Sequence, residues 1–364
     1  MNERTHASHD ALAYLLPYII PLLVIASVWL GRLSGERDLF ALAPMAIAYL
    51  FLPLYQAWQP HQSAPLGEAA AGWQRWFRWL PLFAILPQLA MLYVAASEWA
   101  EGGLAWWARL ALVFGTGWYS TLFGVNFAHA LMHHREPFDR FMSGLLLSVM
   151  CFGSFRIVHL QIHHPHVGTP ADFASPPRGR GFYRYWLGCF AGNFLAPLQL
   201  ERARLAKTAA APWRSELVLW TLMSLAWLGI SVALFGAAGG VFFLLQSLFA
   251  IMQLDLVNYI QHYGLERRRL AGGGFEPVGT RHAWCQTLWL DDLLLLNLPR
   301  HAEHHVHPQI PFERLGVPPD APRYPYSYAV MILLALAPPL FRRVVDPCLD
   351  RMGATEAAWR PATS

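Results

Sequence analysis

Twelve of the sixteen histidines in this chain fall into four short clusters. They are N-F-A-H-A-L-M-H-H with His129, His133 and His134; H-L-Q-I-H-H-P-H with His159, His163, His164 and His166; N-Y-I-Q-H-Y-G-L with His262; and R-H-A-E-H-H-V-H-P with His301, His304, His305 and His307. On a helix, residues four apart share one face. His129 with His133, His159 with His163, and His301 with His304 or His305 can therefore each grip one side of a metal centre. Adjacent helical residues point about 100° apart. The doublets His163–His164 and His304–His305 thus serve two neighbouring ions more readily than one, which points to a binuclear site. His134, His166 and His307 lie outside the repeated spacing and are expected at the surface or behind the ligands. Of the remaining four, His6, His9, His61 and His282, the first three read as ordinary histidines.

Imidazole suits zinc, copper, nickel and iron. Structural zinc takes four ligands, too few for this many histidines. The zinc-protease pattern H-E-x-x-H is missing, because Ala130, Leu131 and Met132 separate His129 from His133. Two metals with several imidazoles each, and open positions, fit oxygen-activating iron best.

The elements that must hold these clusters are membrane helices. Of the 364 residues, 55% are hydrophobic and only 14% charged, against about 25% charged in a usual soluble protein. Six segments are long enough to cross a bilayer: 11–30, 39–58, 79–97, 106–128, 217–235 and 239–260. Two further apolar stretches, 141–158 and 325–341, carry prolines or polar residues and are expected at the interface or packed on the bundle. The fold class expected is all-α integral membrane, six transmembrane helices with a cytoplasmic histidine-rich di-iron cap. The whole of 1–364 reads as one domain, with catalytic blocks at 129–216 and 261–324.

Arginines gather after the second, fourth and sixth segments, whereas the 98–105 loop carries Glu98 and Glu101 and the 236–238 turn carries no charge. By the positive-inside bias both termini are cytoplasmic, in the inner membrane. Trp73, Trp76, Trp79, Trp99, Trp106 and Trp107 stand at segment ends like an aromatic belt. No basic region precedes the first apolar run, so no cleaved signal is expected. Cys151, Cys189, Cys285 and Cys348 form no C-x-x-C pair, which argues against a fused rubredoxin-like module or a disulfide framework. A formal charge of +4 gives no reason to expect a nucleic-acid partner.

The boxes resemble those of the membrane alkane hydroxylase (alkane 1-monooxygenase) family, in the wider fatty-acid desaturase/hydroxylase superfamily. The likeness runs from about His129 to Tyr324. It is most specific at N-Y-I-Q-H-Y-G-L, at R-H-A-E-H-H-V-H-P, and at H-L-Q-I-H-H-P-H-V-G-T-P-A-D over 159–172. Plain desaturases lack the H-Y-G segment. The resemblance implies nine iron-binding histidines: His129, His133, His159, His163, His164, His262, His301, His304 and His305. It also implies two iron ions, O2, an apolar substrate reached through the helical bundle, and electrons from a rubredoxin or ferredoxin partner with its NAD(P)H reductase. The chain departs from the family where Ala130 replaces a glutamate, His134 a lysine, and Gln261 a glutamate. Val158 also stands where the second box often begins with glutamate.

Asp255 precedes His262 by two helical turns on the same face. Ionisable groups within membrane helices are costly and usually functional, and the family tends to carry a carboxylate there. It is expected behind the ligands, or handling protons. Glu303, Asp172, Asp291 and Asp292 are further candidates for orienting imidazoles.

The expected reaction is insertion of one oxygen atom into a C–H bond of an alkane or alkyl chain; the alternative is a fatty-acyl or lipid desaturase with the same irons. A metal transporter fits less well, since its site would lie near the membrane midplane, and a haem protein would show a Soret band.

Overall fold

The computed structural model describes residues 11–58 and 73–358; His6, His9 and His61 lie outside them. Among the described residues the regular structure is helical, with two isolated bridges, Arg269–Phe275 and Cys285–Arg323. Four helical stretches among the described residues are long and apolar enough to cross a membrane: Ala11–Ser34, Arg37–Trp58, Gln74–Glu101 and Glu216–His262. This is a multi-pass membrane protein.

The first stretch is carried mainly by α1 (Ile19–Ser34). The second runs from α2 (Arg37–Ala46) through a π-helical turn, Ile47–Phe51, into α3 (Leu52–Trp58). Pro44 lies just before that turn and Pro53 just after it, and each removes a backbone donor from the ladder. The third stretch is α4 (Gln74–Leu82) and α5 (Ile85–Glu101). The residues of the fourth expected span are helical too, as α6 (Trp106–Tyr119), a π turn at Ser120–Val125 and α7 (Asn126–Met132).

The long helix α11, Glu216–His262, carries the fifth and sixth expected spans. Gly236 interrupts it at φ 65° and ψ −163°, a conformation that suits glycine, and the chain folds back on itself there. Ser231 Oγ donates to the Gly239 carbonyl at 2.8 Å. A Cβ on Gly239 would meet the Ser231 carbonyl at 2.5 Å, so the two arms touch backbone to backbone.

The same device joins α6 to α11. A Cβ on Gly117 would lie 2.7 Å from the Gln246 carbonyl, and Thr121 Oγ1 donates to the Ala250 carbonyl at 2.7 Å. Lipid offers no hydrophobic drive between helices, so close approach and buried hydrogen bonds must hold them. The outward faces are apolar: Trp29, Leu33, Leu86, Leu195 and Leu222 are all more than half exposed. Trp79, Trp106 and Trp107 are likewise exposed. Trp73, Trp76 and Trp99 pack against the core instead.

Both interrupted apolar stretches pack on the bundle. The first forms α8 (Pro137–Ser148) and α9 (Phe155–Val158); the second forms the later α14 (Tyr328–Leu336) and the start of α15 (Pro338–Ala358). Between them lie α10 (Phe182–Thr208), α12 (Trp289–Leu294) and α13 (His301–Val306). Four chain ends meet at one place: the end of α7, the π turn His159–His163 after α9, the last residue of α11, and α13. Each carries one histidine cluster.

Candidate metal centre

Eight of the nine predicted histidines form two compact groups. His129, His133, His159 and His304 make one; His163, His262, His301 and His305 make the other. Within each group, the nitrogens that face inward lie within 4.8 Å of one another. His164 stands between the groups: its ring centroid lies 4.9 Å from that of His304 and 4.6 Å from that of His305.

The pairing differs from the spacing argument in one place, and in another it selects between the two partners that spacing left open. His159 and His163 were expected to serve one metal, yet they fall in different groups. The two rings still lie side by side, with centroids 5.3 Å apart, the same as for His129 and His133, but they face into different groups. His301 pairs with His305 and not with His304, which turns to the first group. The division of the doublet His304–His305 between groups follows from the angle between adjacent helical side chains.

The nitrogens are arranged as a metal would require. His133 Nε2 lies 3.1 Å from His159 Nε2, and His164 Nε2 lies 2.9 Å from the same atom. His262 Nε2 and His305 Nε2 lie 3.1 and 3.0 Å from His301 Nε2. Two imidazoles at right angles on one ion, each about 2.1 Å away, would be about 3 Å apart. His129 Nε2, His163 Nε2 and His304 Nε2 are buried with no hydrogen-bond partner, and buried polar atoms are rarely left so.

Two ligand candidates are oriented from behind. His163 Nδ1 bonds Asp172 Oδ2 at 2.8 Å, and His262 Nδ1 bonds the His282 carbonyl at 3.1 Å. A proton fixed on Nδ1 leaves the Nε2 lone pair facing inward. Burial, and then the crowding of other imidazoles, holds His159, His164, His301, His304 and His305 well below the ordinary imidazole range. Neutral imidazole is the form that binds metal. Asp172 shows the opposite balance: burial pushes its carboxyl up, but His163 and Ser175 bring it below the usual range. The donor set, eight or nine imidazole nitrogens in two adjoining pockets, fits two transition-metal ions.

Of the other carboxylates considered, none of the bonds resolved reaches these imidazoles. Glu303 accepts from the Gly316 N–H. Asp291 accepts from Gln56 Nε2 at 2.6 Å and from the Tyr328 N–H at 3.0 Å. Asp292 accepts from Arg300 Nη2 at 2.8 Å. Asp255 is fully buried on α11; its Oδ1 accepts from Asn193 Nδ2 at 2.9 Å and meets Cys189 Sγ at 3.2 Å, both on α10, while Oδ2 is unpartnered. His134 bonds Asp139 at 2.9 Å, and His166 and His307 are exposed. The sequence reading missed His282. Its contribution is a backbone carbonyl brought up by a loop, which no side-chain pattern signals.

A cleft of about 420 Å3 opens beside the first group, lined by His129, His133 and His304 together with Arg78, His134 and Arg314.

Comparison with known proteins agrees with this geometry. Residues 104–330 match the fatty acid desaturase family. The chain is 36% identical over 269 residues to alkane 1-monooxygenase 1 of Pseudomonas aeruginosa, covering 73% of this chain and 69% of that protein. It is 36% identical over 294 residues to alkane 1-monooxygenase 2 of the same organism, covering 79% and 77%. An alkane 1-monooxygenase of Ectopseudomonas oleovorans is 30% identical over 343 residues, covering 92% and 84%. The chain therefore belongs to the fatty acid desaturase family and, within it, to the alkane 1-monooxygenase branch of membrane oxidoreductases.

Proposed function

We propose that this chain is a di-iron monooxygenase that converts a C–H bond of an alkane or alkyl chain to an alcohol, using O2 and electrons from a separate protein. The observation that carries this reading is the pair of four-histidine groups with His164 between them. The ligands proposed are His129, His133, His159, His163, His164, His262, His301, His304 and His305. Two irons held there would supply reductive activation of dioxygen.

The chain's own residues do the rest. Asp172 holds the His163 proton on Nδ1, and the His282 carbonyl does the same for His262. Buried walls around the second group exclude water. Asp255 is assigned a proton-holding role at Oδ2, through its link to Asn193 and Cys189. Six crossings are proposed, with 1–364 as one domain, both termini cytoplasmic and the histidine cap on that side of the inner membrane. The gathering of arginine on one set of loops supports this orientation.

A rubredoxin or ferredoxin, fed by an NAD(P)H reductase, is the proposed donor, and such carriers are typically acidic. Some of the arginines that would meet it are already engaged. Arg178 pairs with Asp350 at 2.7 Å, Arg204 with Glu201 at 2.8 Å, and Arg268 with Glu276 at 2.9 Å. Arg180, Arg184, Arg202 and Arg269 are exposed and are the better contacts.

The test is metal analysis joined to product analysis. Purified active chain should hold close to two irons, and cells fed alkanes should yield alcohols. Stoichiometric zinc in active protein would overturn the iron assignment; an alkene product would make the chain a desaturase.

A further inference from the structure

A second internal space lies between α3, the π turn before α7, α11 and α14. It is a cavity of about 40 Å3, walled largely by apolar residues such as Leu52, Trp118, Val257 and Ile332. Asn126, Leu295 and Leu298 line both this cavity and the cleft at the histidines. The two spaces therefore share a wall one helical turn from His129.

Most polar groups on the cavity wall are occupied. Thr121 Oγ1 donates to the Ala250 carbonyl at 2.7 Å, and Asn126 Nδ2 to the Leu122 carbonyl at 2.6 Å. Asp291 accepts from Gln56 and from the Tyr328 N–H. Gln253 is different. It is 2% exposed, it lines the cavity, and neither Oε1 nor Nε2 has a partner. A stranded buried amide is costly unless something in the cavity meets it.

We propose that the Gln253 amide recognises a hydroxyl group, and that the chain acts on a lipophilic alcohol in preference to a plain alkane. This rests on the hydroxylase reading above and narrows its substrate. An amide offers one acceptor and one donor face, and a hydroxyl is the small group that answers both. A carbonyl or ether would leave Oε1 idle. A carboxylate would do the same and would bring a second acid beside Asp291. Gln253 lies nine residues before His262, roughly 13 Å along the helix, so the hydroxyl marks the end of the substrate remote from the histidines. The C–H bond at the far end is the one oxidised. One oxygen atom of O2 enters it and the other leaves as water, with two electrons from the donor protein and two protons, and the product is a diol.

The test uses the full chain in its membrane, with its electron donor, offered decane and 1-nonanol in competition. The two have equal numbers of heavy atoms. A site that hydrogen-bonds a hydroxyl rejects the analogue lacking it, whereas an apolar pocket barely distinguishes the two. Wild type should favour 1-nonanol by at least about tenfold in kcat/KM, and Gln253→Leu and Gln253→Met should each erase most of that ratio at unchanged iron content. Wild type that treats the two alike, or a ratio that neither variant moves, overturns the proposal; either is the result expected if Gln253 only holds a water. The wild-type ratio decides alone if a variant fails to accumulate. Turnover of neither compound overturns the hydroxylase reading itself, and this inference with it.

Discussion

The two histidine groups are built from one ligand type and differ in what surrounds them. His163, His262, His301 and His305 are all buried, and two of them are braced, by Asp172 and by the His282 carbonyl. In the other group His129 and His133 are only half-buried; with His304 they form part of the wall of the 420 Å3 cleft. Of that group, none is braced from Nδ1 by a bond resolved in the structure. A matched pair of metals would need matched surroundings. Here one position is sealed and stiff, and the other is reachable from the cap. Under the proposed function, oxygen and water would have the shorter way to the first group, and the second would be the one to keep its ion and fix the geometry.

Ligand loss is the largest way to break this contrast. His301→Ala and His304→Ala should each abolish turnover, measured as alcohol formed per chain, and each should lower bound iron. His301→Ala should also release the remaining metal more readily, because it strips the sealed group. Equal metal loss in the two variants would make the groups equivalent.

Bracing comes next. Asp172→Asn should lower metal affinity or activity by about 10–100-fold, the usual effect of removing a ligand's hydrogen-bond partner. Metal titration of the apo chain would show a single weakened site. Weakening of both sites, or of neither, would remove Asp172 from its place behind His163.

A kinetic measurement sharpens the same difference without mutation. A water-soluble chelator should remove metal in two phases, the faster one from the group at the cleft. Iron release followed by absorbance would show one phase if both groups were equally open.

The smallest effects are expected outside the nine. His134→Lys keeps a partner for Asp139, and His307 is exposed. Iron content should be unchanged in His134→Lys and in His307→Ala; loss of one iron in either would add that residue to the ligands.

Much of this centre was legible in the sequence because its chemistry sits in side chains at short spacings. The nine histidines stand out by type and by doublets, and the structure brings all nine together. The spans were legible where apolar runs are long, as at Ala11–Ser34. What spacing could not show was which group each histidine joins. His159 and His163 stand side by side and still face different groups, a choice made by side-chain direction that residue type and spacing do not carry. Nor could it choose Asp172 over Asp291, Asp292 and Glu303. All four are acids near the boxes, and loop geometry alone turns Asp172 toward an imidazole. Gln253 falls within the expected span 239–260, where nothing in residue type marks it, since its isolation follows from what its neighbours bond to.

The backward fold at Gly236 bears on how the chain enters its membrane. With no charge in the 236–238 turn, and with Gly239 and Gly240 letting the arms of α11 close on each other, the two arms suit insertion as a preassembled hairpin. Neither arm has to wait in lipid for a partner. His262 is then delivered to its place at the close of that one event, and the sealed group waits only for His301 and His305, which follow later in the chain.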